Sequence, residues 1–169
     1  MNIRRHAAYA WLVWLLASLF VFYKYILEVS PGVLGKHIMG YFHSSGLALG
    51  NLIAVYFYAY MMMQLPIGMI LDRFGPKRVM GICLLLCVFG TFLLAYAPSY
   101  PVACLARFIT GLGAAAAVIG CIKLISLWFP TSHFALLLGL MMTIGMLGAV
   151  SGDAVVQHWL LQYPWQHVL

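Results

Sequence analysis

The sequence predicts an all-α membrane protein, on the basis of its low charge, its apolar composition and the length of its apolar runs. Of its 169 residues, 65% are hydrophobic and 7% are charged, with nine Lys and Arg against three Asp and Glu. A soluble domain carries about 25% charged residues because its surface contacts water. The composition therefore excludes a soluble enzyme, a disordered chain and a nucleic-acid-binding domain. It predicts that the outer surface contacts a lipid bilayer.

Five membrane-spanning helices and the start of a sixth are predicted in order along the chain. A helix needs about 20 mostly apolar residues to cross a hydrocarbon core of about 30 Å. Apolar runs of this order occupy residues 7–29, 47–71, 79–97, 102–128 and 134–156. A further helix begins at residue 165 and reaches only about 7 Å by residue 169. We therefore expect a single truncated bundle over residues 1–169.

Residues with turn or capping preferences separate these runs. Ser30-Pro31-Gly32 is expected to end the first helix, since Pro lacks an amide donor and Gly tolerates a positive φ. Ser44 or Ser45 is expected to cap the second helix by accepting a backbone hydrogen bond. Pro98 and Pro101 bracket a tight turn between the third and fourth helices. Each run is thus predicted to be a separate helix.

The basic residues predict the orientation of the chain, because Lys and Arg accumulate in cytoplasmic loops. With the N-terminus inside, one set of Lys and Arg falls on the cytoplasmic side: Arg4, Arg5, Arg73, Lys77, Arg78 and Lys123. The opposite side receives Lys24 and Lys36. The sequence therefore predicts an integral, multi-pass membrane protein with a cytoplasmic N-terminus.

The loop between the second and third spans has a distinctive order of residues, Gly68-Met-Ile-Leu-Asp72-Arg73-Phe-Gly75-Pro-Lys-Arg. Gly68 lets a neighbouring helix approach closely, and Gly75 permits a sharp reversal. The Asp72 carboxylate is unfavourable at the end of its own helix but favourable at the start of another. From the residues alone, a loop whose Asp72 carboxylate faces the start of another helix and an ordinary basic cytoplasmic loop with a chance Asp both remain open.

This loop resembles the signature loop of the major facilitator superfamily of secondary transporters, which those proteins carry between the same two spans. Pro76 replaces a basic residue that is common there, so the ion-pair pattern is expected to shift to Lys77 and Arg78. In the fourth span, Arg107-Phe-Ile-Thr-Gly111-Leu-Gly113 is similar to the Arg-x-x-x-Gly-x-Gly motif of the same family. Weaker similarities point to a branch that includes bacterial organic-anion carriers and a lysosomal dipeptide exporter.

The resemblance implies the N-terminal five to six transmembrane helices of a major facilitator transporter fold. Such proteins have two six-helix halves with the substrate between them. It further implies alternating-access transport of a small organic solute across a bacterial inner membrane, with proton coupling as one option. A lone half would need a separate C-terminal half or a second copy. The alternative is a non-transporting truncated remnant or a membrane assembly protein. The residues assigned to the gating loop are Gly68, Asp72, Arg73, Gly75, Lys77 and Arg78.

Four ionisable residues within the spans are candidates for solute binding or coupling, since charges at membrane depth usually face a cavity or a partner. Arg107 is either an anion-binding or coupling residue in a central cavity, as the resemblance implies, or snorkels to the outer interface. Lys24 and Glu28 form either an interfacial ion pair or a proton-coupling carboxylate beside a substrate-binding cation. Asp153 either lies near the outer interface or pairs with another span.

A polar stripe on the second span adds three candidates. Tyr56, Tyr60 and Gln64 are each four residues apart and therefore share one helix face. A polar stripe in lipid is costly, so we expect it to face protein or water, where solute binding and interhelical hydrogen bonding are both open. The sequence contains no metal-ligand spacing, nucleophile–base pair or phosphate-binding loop. Neither an enzyme, a metal site nor a cofactor is predicted.

Overall fold

A computed structural model describes residues 3–167, and this part of the chain is a bundle of α-helices. The helices are α1 (Ile3–Val33), α2 (Gly35–Tyr41), α3 (Gly46–Phe74), α4 (Pro76–Ala95), α5 (Tyr100–Trp128) and α6 (Thr131–Leu160). Five helices among the described residues are long and apolar enough to cross a membrane, with α1 counted from Ala8. The predicted all-α membrane fold is therefore confirmed. The molecule is an integral, multi-pass membrane protein.

The fifth helix lies at the centre of the bundle because its small residues admit close neighbours. A Cβ atom added at Gly113 would lie 2.5 Å from the carbonyl oxygen of Cys83 on α4. A Cβ atom at Gly111 would collide with the carbonyl oxygen of Tyr56 on α3. Residues 114–117, four consecutive alanines that follow these glycines, are completely buried. Backbone-to-backbone contact of this kind is the usual result of small residues at membrane helix interfaces.

The sixth helix packs along α1 through a row of glycines. Gly145 faces the ring of Tyr25, with 2.7 Å between the ring and a Cβ placed on that glycine. Gly148 faces the backbone of Phe22, and Gly152 faces the side chain of Ile26. Each of these glycines is buried. The row therefore holds α6 against the half of α1 that also carries the candidate polar residues.

The prediction that Ser30-Pro31-Gly32 ends the first helix is wrong. The α1 helix continues through Pro31 to Val33, and the N–H of Leu34 donates to the carbonyl of Ser30 at 2.9 Å. Proline removes one hydrogen bond of a helix, and near the last turn that loss does not stop the following residues from remaining helical. The short helix α2 begins only two residues after α1 ends.

The other helix ends are explained by the capping and turn residues found there. Ser45 is the N-cap of α3, and its Oγ accepts a hydrogen bond from the N–H of Ala48 at 3.4 Å. Gly75 separates α3 from α4 with a φ of 80°, a left-handed value that glycine adopts without a steric penalty. The predicted sixth-helix start at residue 165 is a single 3₁₀ turn, Trp165–His167. Residues 168 and 169 of that prediction, and the side chains of Arg4 and Arg5, lie outside the described part.

Candidate solute-binding site

Arg107 lies two turns into α5 and is buried, with 2% of the residue exposed. Its Nη1 donates a hydrogen bond to the carbonyl of Leu27 on α1 at 3.0 Å. The guanidinium also lies over the ring of Tyr56, 4.4 Å from the ring centroid. Nε and Nη2 are buried and have no hydrogen-bond partner among the described residues. The side chain therefore points into the protein. A snorkelling arginine would instead point towards the end of its helix.

Two tyrosines of α3 lie beside this guanidinium. The rings of Tyr56 and Tyr60 stack, with centroids 6.2 Å apart and planes inclined by 13°. Tyr56 is completely buried, and its hydroxyl has no partner within the described part of the chain. Gln64, the third member of the predicted stripe, is exposed. The stripe is thus divided: its two aromatic members enter the bundle, whereas its amide lies at the surface.

A second cation lies near Tyr60. Lys24 of α1 forms an ion pair with Glu28 one turn later, and the Lys24 side chain is only 5% exposed. Its Nζ lies 4.0 Å from the ring centroid of Tyr25 and 5.0 Å from that of Tyr60. Cations over aromatic faces are attracted by the ring quadrupole. The predicted Lys24–Glu28 pair is therefore present, with the Lys24 side chain buried in the bundle and the Glu28 side chain partly buried.

We call Lys24, Glu28, Tyr56, Tyr60 and Arg107 the tyrosine–cation cluster. The helical spacing of four brings Lys24 to Glu28 on α1, and Tyr56 to Tyr60 on α3. Gly111, one turn after Arg107 on α5, lets the Tyr56 backbone approach closely enough for the cation–π contact. Two buried cations with one carboxylate leave a net positive charge. This excess of positive charge favours a negatively charged group over a neutral one.

At the other end of α3, Asp72 pairs with Lys123, a residue whose charge had indicated only the orientation of the chain. The Asp72 carboxylate accepts from Lys123 Nζ of α5 at 2.7 Å. The side chains are 64% and 38% exposed, respectively. A shallow depression beside the pair is lined by Gly68, Leu71, Ile119, Ile122 and Ser126, in addition to the pair itself. A lone Lys within an apolar helix was the signal that could have suggested this partner.

The remaining candidates lie apart from both ion pairs. Arg73, Lys77 and Arg78 are exposed around Gly75. Arg73 lies over the ring of its neighbour Phe74, at 5.4 Å. Asp153 is exposed on α6 and belongs to neither ion pair of the described residues. Among the side chains that the structure describes, no group of three or more His, Cys, Asp or Glu is placed to hold a metal ion.

The described residues form a multi-pass helical bundle with buried charge at membrane depth, a combination that is common where membrane proteins form solute or ion pathways. The family model described as Major Facilitator Superfamily matches residues 8–169. The chain therefore belongs to the major facilitator superfamily, as its loop and α5 motifs suggested.

Proteins named as transporters are among the relatives of this chain. The uncharacterised transporter YybO of Bacillus subtilis is 30% identical over 165 residues, which are 98% of this chain and 38% of that protein. GarP of Escherichia coli K12, named a probable galactarate/D-glucarate transporter, is 26% identical over 65% of this chain and 26% of its own length. SauU of Cupriavidus necator, named a probable sulfoacetate transporter, is 28% identical over 64% and 25%. The chain thus spans less than two fifths of each.

Proposed function

We propose that this chain forms the N-terminal part of a secondary active transporter for a small organic anion. The observation that carries the proposal is the Arg107 guanidinium, which is buried while its Nε and Nη2 lack partners among the described residues. Buried polar groups in proteins are almost always hydrogen-bonded, and buried charges are paired. An anionic group of a solute would satisfy both requirements. Galactarate, D-glucarate and sulfoacetate, the solutes in the relatives' names, all carry carboxylate or sulfonate groups.

Within this proposal, each member of the tyrosine–cation cluster has a role. Arg107 binds one anionic group with Nε and Nη2, and the Tyr56 hydroxyl donates a further hydrogen bond. Lys24 supplies a second positive charge, which Glu28 neutralises when no solute is bound. Protonation of Glu28 would release Lys24 to the solute, which makes Glu28 the proposed proton-coupling carboxylate. Tyr56 contacts Arg107 and Tyr60 contacts Lys24 through their rings, and Gln64 lies at the exposed rim of the same helix face.

The Asp72–Lys123 pair and the loop at Gly75 are the proposed gate. An exposed ion pair between α3 and α5 can break at small cost when the helices separate. The faces of α3 and α6 are the proposed contact with the rest of the transporter, either a separate C-terminal half or a second copy. In the most apolar stretch of each span, 17% of α3 and 22% of α6 residues are buried, against 61% for α5. Asp153 lies on this exposed α6 surface.

The proposed setting is a bacterial inner membrane, with the N-terminus and the 72–78 loop in the cytoplasm. Alternating access would then expose the tyrosine–cation cluster to each side in turn. Cysteine-accessibility labelling at positions 36 and 75 tests the orientation. Labelling of both positions from the same side of the membrane would contradict it.

Anion binding by the purified chain tests the function directly. The chain is placed in lipid nanodiscs and titrated calorimetrically with galactarate and with sulfoacetate. We expect saturable binding of at least one anion, and its loss in Arg107→Gln. Arg73→Gln is the matched control, since it removes an equal charge from an exposed position in the last turn of α3. Unchanged binding in Arg107→Gln would contradict the proposal.

Transport is tested by co-expressing the chain with the part of the Bacillus subtilis relative that follows the matched region. Uptake of the bound anion into proteoliposomes under a proton gradient is the expected result. Absence of both binding and uptake in every combination would favour the alternative of a non-transporting membrane assembly protein.

A further inference from the structure

The acceptor that holds Arg107 is an unusual backbone group. In an α-helix the carbonyl of residue 27 accepts from the N–H of residue 31. Residue 31 is a proline within α1 and has no N–H to donate. The carbonyl of Leu27 is therefore deprived of its regular partner, at a position where the residue is 4% exposed and water is scarce.

Two side chains supply the missing donors. Arg107 Nη1 donates to the Leu27 carbonyl at 3.0 Å, and the hydroxyl of Ser30 donates to the same oxygen at 3.3 Å. Ser30 and Arg107 are both buried, at 2% exposure each. A buried carbonyl without a donor is costly, and so is a buried guanidinium without an acceptor. The hydrogen bond from Arg107 to the Leu27 carbonyl reduces both costs.

We propose that Pro31 is a positioning residue for Arg107. Its missing N–H leaves the Leu27 carbonyl to accept from Nη1, which fixes the guanidinium across the gap between α1 and α5. Nε and Nη2, the two nitrogens without partners, then remain for the anion. This inference rests on the proposed function for its consequence, anion binding, but the hydrogen bond itself can be measured independently.

The chain offers a matched control in its second helix-internal proline. Pro66 lies within α3 and removes the regular donor to the carbonyl of Met62 in the same way. Met62 is exposed, and no side-chain hydrogen bond to its carbonyl is found in the described residues. Pro31→Ala and Pro66→Ala therefore each restore a backbone N–H that can donate to the carbonyl four residues earlier. Of the two carbonyls, only that of Leu27 also accepts from an arginine.

The sequence also allows the Leu27 carbonyl to be observed alone. Glu28 is the single glutamate of the chain, so Leu27-Glu28 is its one Leu-Glu pair. Labelling with carbonyl-¹³C leucine and ¹⁵N glutamate gives one carbonyl–amide cross-peak in the full chain in nanodiscs. Hydrogen bonding to a carbonyl moves its ¹³C resonance to higher frequency. Arg107→Gln is expected to move this resonance to lower frequency in the parent chain and less in the Pro31→Ala background. In the Pro66→Ala background, Arg107→Gln should shift the Leu27 resonance by as much as in the parent chain.

A backbone ester separates the missing N–H from the proline ring. An α-hydroxy acid equivalent of alanine, incorporated at position 31 by nonsense suppression, lacks the N–H and the ring. We expect it to restore the parent response of the Leu27 resonance to Arg107→Gln. If the ester behaves as Pro31→Ala does, or if Pro31→Ala leaves the response at its parent size, the proposal is overturned.

Anion affinity supplies the second readout. Pro31→Ala is expected to weaken the binding of galactarate or sulfoacetate by about tenfold, the loss typical of one hydrogen bond to a charged group, while Pro66→Ala leaves it unchanged. Equal weakening in both variants would overturn the inference. If the parent chain binds neither anion, the proposed function fails, and the carbonyl resonance still decides whether Pro31 positions Arg107.

Discussion

The two ion pairs of the described chain differ in their surroundings, and the difference separates a binding role from a gating role. Lys24–Glu28 lies among aromatic rings with side chains 5% and 22% exposed, whereas Lys123–Asp72 is 38% and 64% exposed. Exposed pairs contribute about 0–1 kcal/mol to stability. Removing one partner of a buried pair costs about 3–5 kcal/mol. The first pair is therefore suited to hold charge for a ligand, and the second to break and re-form.

The largest expected effect is that of Glu28→Gln. The substitution keeps the size of the side chain but leaves the buried Lys24 ammonium without its carboxylate. We expect the free energy of unfolding to fall by about 3 kcal/mol. Tryptophan fluorescence during denaturation of the chain in detergent measures it. A loss of about 0.5 kcal/mol, typical of a surface pair, would show that the two pairs do not differ as described.

Removing both charges of the buried pair should have a smaller effect on stability and a complete effect on binding. Replacing a buried ion pair by apolar residues of similar volume is often neutral. The double variant Lys24→Met with Glu28→Leu is therefore expected to unfold within about 1 kcal/mol of the parent. Calorimetric titration with galactarate should show loss of affinity. Retained affinity in a stable double variant would remove Lys24 from the proposed site.

Asp72→Asn should change conformational cycling rather than binding or stability. The pair with Lys123 is exposed, so its loss is expected to cost about 0.5 kcal/mol of unfolding free energy. In the co-expressed transporter we expect slower uptake at saturating anion with an unchanged anion affinity. The result that would contradict the gate assignment is a weakened affinity with an unchanged maximal rate.

The smallest expected effect is a difference in salt sensitivity. Exposed charges are screened over about 3 Å at 1 M salt, whereas buried charges are screened much less. The stability difference between the parent and Asp72→Asn should disappear between low salt and 1 M salt, while that of Glu28→Gln should persist. Denaturation curves at the two salt concentrations test this. If salt changes the stability losses of the two variants by the same amount, the two ion pairs do not differ in their exposure to solvent.

The fold could be predicted from the sequence because each membrane span is a local property. Hydrocarbon requires long apolar helices with internally satisfied backbones, so the five apolar runs identified the spans without any knowledge of packing. Pro31 shows where this local reasoning failed. Its missing amide donor was expected to end α1, but the helix continues to Val33, and Arg107 of α5 and Ser30 of α1 itself donate to the Leu27 carbonyl instead.

The site was predictable only as a collection of residues. The spacing of four identified Lys24 with Glu28, and Tyr56 with Tyr60, because those contacts lie within one helix. Contacts between helices, such as Lys123 with Asp72, depend on how the helices pack and leave no periodic signal. For the same reason the sequence did not distinguish the buried Tyr56 from the exposed Gln64 on one face.

The close packing of α5 has a mechanical consequence. Its backbone touches that of α3 at Gly111 and that of α4 at Gly113, so the helix cannot slide along its neighbours without steric collision. It is expected to tilt as a stiff rod. Lys123 and Arg107 lie on this rod about 24 Å apart, and a tilt of about 5° displaces one relative to the other by about 2 Å. A displacement of that size is enough to break a hydrogen bond. A tilt of α5 that separates Lys123 from Asp72 would therefore also change the contacts of the Arg107 guanidinium.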